Sequence, residues 1–315
     1  MFKSRMLEAV KQSRYIPPVL LAVLIALLLV YGGEFFGAIV MFILAFSMGF
    51  ALKMANPDIN GAALQSMVQP FQIYFQLLLF AFIVLAVFFW VRFVEKRPFA
   101  SLGFYKAGWL RELGKGFLIG AGQFSIVVAL LVITGTGRLS LGQIGLQTLL
   151  FILTIIPFWI LQGGAEELVT RGWLFPTVSE KSNILVGILI SSLLFGALHI
   201  FNPGVTVLSL VNIVLDGIFA CFLMLRYDNM WVLAGMHGAW NFVQGNIYGI
   251  EVSGQGANGS LLAYSNQSNM DWLSGGAFGA EGSILTSIVL IGCIAYLYWS
   301  LKKDGKLPQS LSIKK

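Results

Sequence analysis

Apolar runs of bilayer length recur along almost the whole of this chain, and few sequence features restrict a polypeptide more severely. A helix needs about 20 apolar residues to cross the hydrocarbon core. With no water there to satisfy peptide groups, only helices and closed barrels can span it. The stretches PPVLLAVLIALLLVYGG (17–33) and FQLLLFAFIVLAVFFWV (75–91) contain no ionised residue. Composition agrees: 57% of the 315 residues are hydrophobic and 11% are charged, against about a quarter charged in a soluble domain. We expect an all-α, polytopic membrane protein with about eight or nine transmembrane or re-entrant helices around buried polar residues, and no soluble domain. The spacing predicts spans near 17–32, 35–53, 72–92, 116–135, 145–168, 184–201, 204–225, 229–249 and 283–301.

Charge orients these spans. The net charge is +6, but Lys and Arg gather at Lys3, Arg5, Lys11 and Arg14, between Arg92 and Lys115, and at Lys302, Lys303, Lys306, Lys314 and Lys315. Those are span ends, as the positive-inside rule expects, so the natural partner is the lipid bilayer and no nucleic-acid groove is implied. The long polar head before residue 17 and the absence of an A-x-A site make the first apolar run a retained helix rather than a signal peptide. Cys221 and Cys293 lie inside apolar runs and read as packed thiols, neither a disulfide framework nor a metal site.

Four regions follow: 1–115, N-terminal helices with a basic loop; 116–249, a polar-bearing helical core; 250–282, a Gly/Ser/Asn-rich loop; and 283–315, a last helix with a basic tail. With the 92–115 loop cytoplasmic, the C-terminus is cytoplasmic and 250–282 is outside, where it should be exposed and mobile. At the front, parity conflicts, because three spans would separate two basic segments. The 35–53 segment, after a break at Gly32-Gly33, is expected to be re-entrant or interfacial, unless the charge rule has an exception here.

Ionisable groups inside spans are costly and call for a partner or a purpose. In GGAEELVTRGW, Glu167 and Arg171 share a face at i, i+4 and can pair at an aqueous boundary, which leaves Glu166 unexplained. His199 lies one turn after Phe195, and read alone it is a hydrogen-bonded core histidine. His237 and Asn241 again share a face and can serve as interhelical glue. Asn212 and Asp216 form another such pair, read as a structural hydrogen bond or as part of the same lining. The chain contains only two histidines, and both fall in predicted spans beside an aromatic or amide neighbour. A buried glutamate, two histidines and an asparagine converging from three helices can polarise water and stabilise an oxyanion.

EELVTR, FGALH and HGAWN, in this order on successive helices, resemble the EExxxR, FxxxH and HxxxN motifs of the CPBP (CAAX protease and bacteriocin-processing, or Abi) family. These are intramembrane proteases related to the type II CAAX prenyl endopeptidases. The motifs span residues 166–241, and RGWLFP and RPFASLGF (97–104) are similar as well; residues 1–90 and 250–282 carry no diagnostic motif. The resemblance implies that 116–249 is a CPBP/Abi catalytic helical core. In it Glu166 would be the general base on a water, helped by His199, while His237 and Asn241 would donate to the oxyanion. Glu167 and Arg171 would be a supporting ion pair, with Phe195 beside them.

The same residues admit a zinc-dependent version in which Glu166, His199 and His237 are ligands and water takes the fourth position. No H-E-x-x-H is present, and the resemblance favours a reaction without cofactor. The implied substrate is a membrane-associated protein or peptide, prenylated or a bacteriocin-type precursor, in a bacterial cell membrane. A proton-coupled transporter could use similar groups but should show repeated spans with matching helix breaks, and none is found. A non-catalytic scaffold or immunity protein could lose a motif residue; here every motif position is filled.

Overall fold

The computed structural model describes residues 4–256 and 259–312; Lys3, Lys314 and Lys315 lie outside them. The fold is that of an all-α polytopic membrane protein. Its main helices are α1 (Arg5–Lys11), α2 (Val19–Ala55), α3 (Gly61–Val94), α4 (Trp109–Ile133), α5 (Leu146–Lys181), α6 (Ile184–Leu198), α7 (Val207–Tyr227), α8 (Met230–Phe242) and α9 (Ile284–Lys303). Among the described residues α2, α3, α4, α5, α7 and α9 are long and apolar enough to cross a membrane, and α6 is a shorter apolar helix.

The expected break at Gly32-Gly33 is absent, and 35–53 is not a separate re-entrant piece. It is the second half of α2, which runs unbroken for 37 residues, about 55 Å at 1.5 Å per residue. Gly33 serves packing instead: a Cβ there would lie 2.8 Å from the Ile83 Cα of α3, so the missing side chain lets two helices touch. Two span-length helices, α2 and α3, rather than three now separate the N-terminal segment from the 92–115 loop, and the parity conflict disappears.

Long-range contacts sort the connections onto two ends of the bundle. At one end Asp228, after α7, accepts from the Arg5 amide at 2.7 Å and the Ser4 hydroxyl at 2.5 Å. At that end, too, Arg226 pairs with Asp304 at 2.9 Å, and the Arg14 amide donates to the Glu95 carbonyl at 2.8 Å. At the other end the segment after α4 forms β1 (Gly137–Leu141), which pairs antiparallel with β2 (Leu262–Asn266), Gly137 opposite Asn266. The 250–282 segment therefore packs rather than merely lying on the surface: Ile250, Val252, Phe278 and Ala280 are buried. Its glycines supply tight turns, as at Gly275 and Gly279 with φ of 93° and 94°, a backbone region open chiefly to glycine.

At the centre stands α8, buried at every residue except Trp231. It is wedged between α4 and α5 by close backbone approach. A Cβ on Gly163 of α5 would stand 2.7 Å from the Gly238 amide nitrogen, so only glycine permits this crossing. That contact fixes how the polar residues of α5 meet those of α8.

Candidate active site

The polar residues of α5 sit where its winding changes. Directly after Glu167 the helix widens into a π-helical stretch, Leu168–Leu174, a feature frequent at functional sites. The Thr170 hydroxyl donates to the Glu166 carbonyl at 2.6 Å, satisfying an acceptor at the junction. The two glutamates then diverge. Glu167 is fully buried, and Arg171 Nη1 reaches its Oε1 at 3.2 Å with neither side chain exposed. Glu166 lines a cavity of about 750 Å³ that His199, His237 and Asn241 also line.

His237 lies between the two acids. Its Nδ1 is 2.9 Å from Glu167 Oε1 and its Nε2 is 3.4 Å from Glu166 Oε2. A carboxylate can only accept, so Nδ1 carries the proton shared with Glu167. Glu167 thus holds both a guanidinium and an imidazole, which fixes the ring that faces Glu166. The pairing expected of Glu167 with Arg171 is present, but in the bundle interior rather than at an aqueous boundary.

His199 is not within a helix but at the C-cap of α6. Its Nδ1 stands 2.8 Å from the Phe195 carbonyl, which makes Nδ1 the donor and leaves Nε2 with a lone pair in the neutral ring. The Phe195 ring joins the groups. Arg171 lies 4.3 Å above it, and the rings of His199 and His237 meet it edge-on at 4.8 and 6.0 Å. No hydrogen bond joins His199 to Glu166 among the described residues.

Several lining groups went unremarked in the sequence. Gln162, one turn before Glu166, donates to Glu166 Oε1 at 2.7 Å and accepts from Asn241 Nδ2 at 2.7 Å; its i, i+4 spacing was the available signal. Glu34 of α2 also lines the cavity and was hidden by the presumed helix break. Glu281, from the 250–282 segment, accepts from the Trp240 indole at 3.2 Å. Asn212 and Asp216 both line the cavity, but they do not bond to each other. Asn212 donates to the Glu281 and Ser283 carbonyls at 2.7 and 2.8 Å and accepts from Ser287, tying α7 to the start of α9. Among the described residues no group of three or more His, Cys, Asp or Glu is arranged to hold a metal ion.

Comparison with known proteins adds one finding. The family model described as type II CAAX prenyl endopeptidase Rce1-like matches residues 148–243, from the first turn of α5 to the end of α8. No curated protein and no solved structure matches the chain. The matched segment contains the Glu166–Arg171, Phe195–His199 and His237–Asn241 motifs, and over these residues the chain is similar to the CAAX prenyl endopeptidase family.

Proposed function

We propose that this protein is an intramembrane endopeptidase that hydrolyses a peptide bond of a membrane-associated protein or peptide, prenylated or a bacteriocin-type precursor. Glu166 takes a proton from a water whose oxygen attacks the scissile carbonyl carbon, and His199 Nε2 accepts a hydrogen bond from the same water. Asn241 donates through its NH2 to the oxygen that becomes negative, and His237 donates to it through Nε2 in the doubly protonated ring, its Nδ1–H being held by Glu167. Collapse of the tetrahedral intermediate breaks the C–N bond, and the proton held by Glu166 passes to the leaving amine. Glu167 and Arg171 keep His237 in place.

The observation that carries this reading is the convergence of Glu166, His199, His237 and Asn241, from α5, α6 and α8, on one cavity. The direct-water version is favoured over a zinc version because both nitrogens of His237 already face carboxylates. The reading includes a bacterial cell membrane with the C-terminus cytoplasmic, supported by the basic residues Lys302, Lys303 and Lys306.

Labelling of new N-termini in membranes carrying wild-type protein, Glu166→Ala or His199→Ala tests it. Termini that appear only with the wild type are expected, and cleavage that persists in both variants would show the mechanism to be wrong. Loss of cleavage on zinc chelation with recovery on re-addition would replace the direct-water version by the metal-dependent one.

A further inference from the structure

We propose that Gln162 is a positioning residue of this site, fixing which oxygen of Glu166 and which atom of Asn241 face the reacting bond; the inference rests on the hydrolytic reading above. Gln162 is buried, at 8% exposure, and lines the cavity. Its amide bridges the two groups through bonds of 2.7 Å each. Chemistry forces the direction of both. An ionised carboxylate only accepts, so the Gln162 NH2 faces Glu166, its carbonyl faces Asn241, and Asn241 must turn its own NH2 inward.

Two consequences follow for the reacting groups. Glu166 Oε1 is engaged, so Oε2, 3.4 Å from His237 Nε2, is the oxygen left for a water. On Asn241 one N–H is held by Gln162 and the second stays on the same nitrogen, available to an oxyanion. With the amide flipped, Asn241 would present a carbonyl oxygen there and repel the developing charge.

The competing explanation is interhelical glue between α5 and α8. The two helices are already locked one residue away, where Gly163 meets the Gly238 backbone. A hydrogen bond is not needed to hold them, whereas the orientations of Glu166 and Asn241 have no other polar support from α5.

The test uses the full-length protein on host membranes, with the initial rate of new N-termini expressed per folded molecule. Gln162→Met should lower the rate about 10- to 100-fold, the scale of a misplaced catalytic group. Gln162→Glu, which still accepts from Asn241 but confronts Glu166 with a second acid, should lower it comparably. In an Asn241→Ala background the cost of Gln162→Met should shrink at least about threefold, since one of the groups it orients is gone. Packing alone would instead give additive costs, or less folded protein at an unchanged rate per molecule, and either result overturns the proposal. Gln162→Met within twofold of wild type while Glu166→Gln is inactive overturns the positioning role and leaves the hydrolytic reading intact. A wild type no faster than Glu166→Gln overturns both. If Gln162→Met does not fold, the near-isosteric Gln162→Glu carries the same comparison.

Discussion

At the residue scale the site depends on a buried cation and the acid beside it. Arg171 and Glu167 have no exposed side-chain surface, and Arg171 Nε and Nη2 have no hydrogen-bond partner among the described residues. The guanidinium is steadied instead by the Thr170 hydroxyl at 2.7 Å and the Phe195 ring. Removing one member of such a pair leaves the other charge buried, at a cost of about 3–5 kcal/mol. Arg171→Met should therefore lower unfolding free energy by about 3 kcal/mol, the low end, because His237 still bonds Glu167. Thermal unfolding in detergent measures it, and unchanged stability would mean that the pair is not formed. Much at this scale was legible in the sequence, because i, i+4 spacing brings Glu167 near Arg171 and Phe195 near His199 wherever the backbone is helical or nearly so. What spacing could not show was which glutamate faces the cavity, since that depends on the widened winding after Glu167 and on the position of α8.

At the element scale, glycine sets how closely helices approach and therefore where their polar groups meet. Gly163→Val would drive a side chain into the α8 backbone beside His237. Overpacking of this kind costs about 1–3 kcal/mol, and a displacement of about 1 Å between reacting groups costs about 100-fold in rate. The expected outcome is a cleavage rate down by about two orders of magnitude with a smaller loss of thermal stability. Full activity in this variant would separate the α5–α8 contact from the chemistry. The same chemistry of glycine explains the misreading of α2: Gly32-Gly33 looked like a break, yet an apolar helix in a bundle can use glycine as a contact. Glu34 follows that pair directly, so the misplaced boundary also concealed an acid of the cavity.

At the scale of the whole molecule, connections meet at two ends, and the account predicts their sidedness. Single cysteines at Ser13 and Lys106 should react with a membrane-impermeant reagent from one side, and a cysteine at Ser268 from the other; Ser13 and Lys106 on opposite sides would restore an odd number of crossings before α4. The number and apolar character of the helices could be read from the sequence because the bilayer imposes length. The packing of 250–282 could not, because β1 and β2 are more than a hundred residues apart and the pairing between them is not encoded locally. Assembly of the whole places Glu166 on a cavity with two histidines and an asparagine, and the central claim is that this carboxylate activates the water. The most direct test is the rate of folded Glu166→Gln on a substrate identified by terminal labelling. A general base contributes about 10²–10⁴-fold, so the account predicts a fall of at least about a hundredfold with stability retained, and a folded variant keeping more than about a tenth of the wild-type rate would contradict it.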